Sequence, residues 1–187
     1  GASLAREDIF GLRDVRAYTL YRTPGGQAQP QQTLAQAAWA SQSLAPTETE
    51  ALTPLAVPAD LAGDVLFLGH RLDPATGRPG SRLTLTTAWR VVDLPEDRAL
   101  SLFAHVVGPD GAASVGDSLG FEALEWAPGD VFVQRNVLAI PEDARPGRYW
   151  AEAGLYSLAT GERMRVRVDG EDVADRLLLT PLTLSGH

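Results

Sequence analysis

The sequence predicts an all-β chain: an antiparallel two-sheet sandwich approached through an extended N-terminal arm. Three observations carry this reading. Apolar side chains recur at every second position in several segments, as in Leu83, Leu85, Thr87 and Trp89 against Thr84, Thr86, Ala88 and Arg90, which is the period of a half-buried strand. Turn-forming clusters punctuate these segments, among them Asp73-Pro74-Ala75-Thr76-Gly77, Pro109-Asp110-Gly111 and Ala159-Thr160-Gly161-Glu162, where Gly, Pro and Asp supply the backbone angles of tight turns. Helical periodicity is nearly absent from the same stretch.

Taken in order, residues 1–22 alternate charged and apolar side chains. Ser3 as N-cap and Gly11 as a stop frame a short helix over Ser3–Phe10, and Val15–Arg22 reads as a strand. Residues 23–60 differ: six of the seven Gln fall between Gln27 and Gln42, and Pro24, Pro30, Pro46, Pro54 and Pro58 interrupt the stretch. This composition reads as a linker with one weak helix over Thr33–Leu44. Ordering such a segment costs roughly 1–2 kcal/mol per residue, so large anchors such as Phe10, Tyr18, Leu34 and Trp39 are needed to hold it. Val15–Arg22 is expected to add a strand to an open sheet edge, in its own molecule or in a neighbour's. The second case would make a homo-oligomer. Trp39 is expected in an apolar contact.

From about residue 61 the strands follow closely. Asp64–Leu72, Leu83–Arg90, Leu100–Val107, Val131–Ile140, Arg148–Ser157, Arg163–Val168 and Arg176–Leu184 are short, regularly spaced and separated by turns, the pattern of an immunoglobulin-like sandwich. The chain thus divides into an arm, residues 1–60, and an immunoglobulin-like β-sandwich, residues 61–187. Strand register fixes the expected core: Leu83, Leu85, Trp89, Leu100, Leu102, Val106, Tyr149 and Leu155 should point between the sheets.

Composition removes several function classes. Asp and Glu number 24 against 16 basic residues, giving a net charge of −8, so nucleic acid and anionic membrane surfaces are poor partners. No apolar run approaches the ~20 residues of a membrane span. There is no Cys, which excludes disulfides, thiolate catalysis and thiolate zinc sites. Every basic residue is Arg and the only Asn is Asn136, a bias expected of a GC-rich genome. The chain starts at Gly1 without Met, so a leader or anchor can have preceded it.

The most conspicuous motif is Gly116-Asp117-Ser118-Leu119-Gly120. It fits the nucleophile-elbow pattern, and its first four letters are those of the GDSL esterases. Both need the serine on a strand-to-helix turn beside a histidine that an acid orients. Here a hairpin precedes the motif, no helical pattern follows it, and only His187 lies downstream. Ser118 is therefore expected on a surface loop, with neither His70 nor His105 near enough to take its proton. The three histidines show no metal-binding spacing, so no catalytic residue, metal or cofactor is assigned. Asp169, Glu171, Asp172 and Asp175 form an acidic loop that lacks the order of a calcium-binding loop, and a solvated hairpin tip is the plainer reading.

The tryptophans are weighed individually. Trp89 continues a core face. Tyr149 and Trp150 are adjacent, so one of them must face outward. Trp126 precedes the turn Ala127-Pro128-Gly129-Asp130 and can either lie exposed or cap the end of the sandwich. An exposed Trp beside polar residues suits stacking on a sugar ring. The candidate ligand-binding residues are accordingly Trp126, Trp150 and His105.

An ordered set of segments adds a resemblance. Leu68-Gly69-His70-Arg71-Leu72-Asp73-Pro74, Ala88-Trp89-Arg90, Phe103 through Gly111, Trp126 through Asp130, Pro146-Gly147-Arg148-Tyr149, Gly154-Leu155-Tyr156 and Ala159 through Arg163 resemble the C-terminal extracytoplasmic β-sandwich domain of bacterial, Chloroflexota-type, mannosyltransferase-like membrane glycosyltransferases. The resemblance covers about residues 61–184, with His70 where a Tyr is usual. It implies a non-catalytic module at the cell surface, membrane-tethered in the full-length protein, with glycan or a cell-surface protein as partner. The catalytic carboxylates of such transferases belong to their membrane part, so none is carried over. A structural or protein-interaction domain without a small ligand is the first alternative, and a GDSL-like esterase using Ser118 is the second.

Overall fold

The computed structural model describes the strand residues 5–10 and 16–22 and the continuous stretch 52–186. In chain order the strands are β1 (Ala5–Phe10), β2 (Arg16–Arg22), β3 (Asp60–Leu61), β4 (Val65–Asp73), β5 (Thr76–Gly77), β6 (Arg82–Val91) and β7 (Leu100–Gly108). They continue with β8 (Gly111–Val115), β9 (Val131–Ala139), β10 (Gly147–Ser157), β11 (Val166–Val168), β12 (Glu171–Ala174) and β13 (Leu177–Leu184). Among the described residues the only helical element is a single 3-10 turn, Ala123–Glu125. Among the described residues, eight strands form one sheet in the order β1-β2-β9-β6-β4-β3-β11-β12, and five form the other in the order β5-β13-β10-β7-β8. Neighbours run antiparallel except the short β5 beside β13. The protein is an all-β sandwich.

Alternation along the strands builds the core. β6 turns Leu83, Leu85, Trp89 and Val91 inward, and β7 turns Leu100, Leu102, Ala104 and Val106 to meet them. Tyr149 and Leu155 arrive from β10, so all eight residues expected between the sheets lie in this one cluster. Trp89 is fully buried, yet its indole Nε1 donates to Thr87 Oγ1 at 2.8 Å, which removes the cost of an orphaned polar group. A second apolar cluster, Leu66, Leu68, Ala88, Val131 and Val133, occupies the opposite face of the larger sheet, with Leu52 packed against it.

Two expectations about the arm have different outcomes. Residues 16–22 do join the sandwich: β2 pairs antiparallel with β9, Tyr18 opposite Gln134 and Tyr21 opposite Val131. The helix over Ser3–Phe10 is wrong, because Ala5–Phe10 forms β1 and pairs with β2. So short a helix has a costly nucleus and is marginal by itself, whereas hairpin pairing supplies backbone partners directly. The weak helix over Thr33–Leu44 and the Trp39 contact lie outside the described residues. Near the start of the continuous described stretch, Thr53 N–H donates to His70 O at 2.7 Å.

A strap crosses between the sheets. After β8, Gly116 N–H donates to Ala104 O and Ser118 N–H to Leu102 O, extending the pairing along β7. From the other sheet, Asn136 Nδ2 donates to Gly116 O at 2.6 Å and to Ser118 Oγ at 2.9 Å. Gln134 Oε1 accepts from Gly120 N–H at 3.0 Å. Gly116 is needed for the close approach, since a Cβ there would lie 2.9 Å from Val137 O. Phe121, Ala123 and Trp126 then fold into the core.

Candidate functional site on the outer face of the five-stranded sheet

The outward residues of β10 are Arg148, Trp150, Glu152, Gly154 and Tyr156, because Tyr149, Ala151, Ala153 and Leu155 take the core side. Register sets them in rows. Pro181, Trp150 and Val107 lie side by side across β13, β10 and β7, and Leu178, Glu152, His105 and Val115 form the next row, ending on β8. Trp150 is 37% exposed, with the Arg148 guanidinium carbon 5.5 Å from its ring centroid.

The second row holds a polar knot. His105 Nδ1 lies 3.2 Å from Glu152 Oε1, and its Nε2 lies 3.0 Å from Asp117 Oδ1. Arg176 Nη1 reaches Glu152 Oε2 at 3.5 Å, and Arg163 Nη1 stands 3.9 Å from Oε1. Burial pushes the Glu152 carboxyl up, but the His105 hydrogen bond and the charges of Arg176, Arg163 and His105 outweigh it and hold it below the usual carboxylate range. Beside this knot Phe103 lies across Gly154, where a Cβ would meet the ring at 2.5 Å. Arg163 also lies over this ring, its guanidinium carbon 4.2 Å from the centroid. The outer face is thus a half-exposed aromatic platform next to a clamped carboxylate.

The structure brings two of the three candidate ligand residues together and removes the third. His105 and Trp150 occupy adjacent rows of one face. Trp126 is not a surface platform: it is 4% exposed, its indole Nε1 donates to Phe121 O at 2.9 Å, and its ring packs against Phe132, tilted by 32° with centroids 5.4 Å apart. The turn after it folds back, Asp130 Oδ2 accepting from Ala127 N–H at 2.9 Å, and so drives the indole inward as the cap of the sandwich. Glu152, Asp117, Arg163 and Arg176 escaped the sequence reading. Alternation with Trp150 marks Glu152 as outward, but its cover comes from residues distant in the chain.

Ser118 lies in the strap. Its hydroxyl accepts from Asn136, and both ring nitrogens of His105 face carboxylates. Short-chain p-nitrophenyl esters are therefore expected to show no turnover that Ser118→Ala abolishes; turnover lost in that variant would restore the esterase reading. The acidic loop forms the β11–β12 hairpin, turning through Asp169 (φ 51°) and Gly170 (φ 85°). There the Arg167 guanidinium donates to Gly170 O at 2.9 Å and lies 3.8 Å from Asp172. At one end of the sandwich a cleft of about 350 Å³ opens between Asp64, Glu96, Asp97, Glu162, Arg163 and Met164.

No family model matches the chain, and no curated protein matches it. Among solved structures it is similar to a family 123 glycoside hydrolase from Clostridium perfringens, at 9% identity and a TM-score of 0.33, over 72% of this chain and 28% of that enzyme. So loose a likeness carries no argument about function.

Proposed function

We propose that the chain is a non-catalytic, immunoglobulin-like β-sandwich module that contacts glycan through the outer face of its five-stranded sheet, as an extracytoplasmic part of a membrane glycosyltransferase-like or cell-surface protein. The observation that carries the glycan contact is Trp150: half-exposed, continued by Pro181 and Val107 in its row, and bordered by charged groups. Sugar rings present an apolar C–H face and a polar rim, and this surface offers the complement of both. The setting is supported by the ordered segments that resemble the transferase domains. The non-catalytic reading is supported by the commitment of Ser118 to Asn136 and of His105 to two carboxylates.

On an immobilised glycan array the full chain should retain at least one class of oligosaccharide, and Trp150→Ala should weaken retention by about tenfold or more. Absence of any retained glycan, or retention indifferent to Trp150→Ala, would sink the proposal. Leu178 and Val115, exposed at the two ends of the neighbouring row, favour a second reading in which this face contacts a protein.

A further inference from the structure

We infer that the glycan taken by this face is acidic, its sugar carrying a carboxylate that Arg148 receives while the ring stacks on Trp150. The inference rests on the proposed glycan contact and adds the chemical class of the ligand.

Arg148 and Trp150 stand two residues apart on the same side of β10, and the guanidinium already sits over the indole. A cation in this position is held by the ring's negative face. The two groups form one unit, and the ring cannot be used without dealing with the cation.

Arg148 also differs from the other arginines that follow residue 140 in the sequence. Arg145, Arg163, Arg165, Arg167 and Arg176 each approach a carboxylate. Arg148 is exposed and has no carboxylate partner among the described residues. Its planar fork of donors is therefore free to meet a carboxylate with two parallel hydrogen bonds.

These two facts discriminate between ligands. A neutral sugar competes with the guanidinium for the indole and must push it aside with nothing gained in return. In a uronic acid the carboxylate projects from the edge of the ring. When the ring takes the indole face, the carboxylate lies where the displaced guanidinium can reach it, so the competitor becomes a partner. Thr183, exposed and directly across from Arg148 on β13, places a hydroxyl beside the same spot for the sugar's own hydroxyls. The net charge of −8 opposes a polyanion only over distance, and at physiological ionic strength that field is screened beyond about 8 Å, leaving the local contact to decide.

The test uses the full chain with short oligomers of galacturonate, glucuronate and mannuronate, each beside its methyl ester, which keeps the ring and removes the charge. Affinities are measured by calorimetry at physiological salt. At least one oligouronate should bind about tenfold or more tightly than its ester. Arg148→Ala should abolish that difference, and Arg148→Lys should restore only part of it. Equal binding of acid and ester, both weakened by Trp150→Ala, overturns the acidic class while leaving the glycan contact standing. If no oligomer binds, and the array retains no glycan either, both fall. A preference for the acid that survives in Arg148→Ala overturns the role of Arg148.

Discussion

Leu102→Ala should lower the free energy of unfolding by about 2–5 kcal/mol in chemical denaturation, with little change in the denaturant slope. Leu102, the third residue of β7, is completely buried and faces the core. Its removal deletes apolar transfer energy and leaves a cavity that the neighbouring strands cannot close, because sheet pairing fixes their backbones on both sides. Leu102 also gives its carbonyl to Ser118 N–H, so the same residue supports the core with its side chain and the strap with its backbone. Alanine keeps the second contact, and the loss measured is therefore one of packing. A loss well under 1 kcal/mol would mean that the strand has been assigned the wrong inward face.

The second large effect lies in the polar knot. His105→Leu removes the hydrogen-bond partner of Glu152 Oε1 and leaves a buried carboxylate with Arg163 and Arg176 alone. Stranding one member of a buried ionic group costs about 3–5 kcal/mol, and the lower end is expected here because the two guanidinium groups remain. Pairing His105→Leu with Glu152→Met replaces both partners by apolar side chains and should recover most of the loss, since the desolvated charge disappears with its partner. A double variant as unstable as the single one would show that the loss came from packing of the imidazole. The pH dependence has a definite sign. The Glu152 carboxyl titrates below its ordinary value of 4.5 in the folded chain, so the unfolded chain takes up its proton first. The stabilisation is whole above pH 4.5 and is lost as pH falls through the folded value. Glu152→Gln should therefore flatten the acid limb of stability against pH, as followed by thermal melts.

The sandwich and its core were legible because a half-buried strand writes its inward face into every second letter. Leu83 to Trp89 and Leu100 to Val106 could be read in that way without any tertiary information. Trp126 could not, because its direction is decided by a turn that bends back through Asp130 and not by a strand's alternation. The site was half legible for a related reason. Trp150 had to be outward once Tyr149 was inward, but the burial of Glu152 depends on Arg163 and Arg176, which reach it from other parts of the chain. Asp117 was read only as a letter of an esterase-like motif. Its partner, His105, is revealed by the strap's path along β7, which no local pattern announces.

The pairing of β2 with β9 has a consequence for the birth of the molecule. The two strands are hydrogen-bonded neighbours in the sheet, yet more than a hundred residues of chain lie between them. A ribosome adding roughly 5–20 residues per second needs several seconds, up to about 20, to make that interval. Until then the β1–β2 hairpin lacks the strand that will cover its inner edge. The docking edge of β9 then arrives beside β6, its neighbour on the other side, so the hairpin is made well before the strand that covers it and is among the last elements to find its place. Conditions that slow translation lengthen this wait, and a nascent chain is most open to pairing with a foreign strand while the wait lasts.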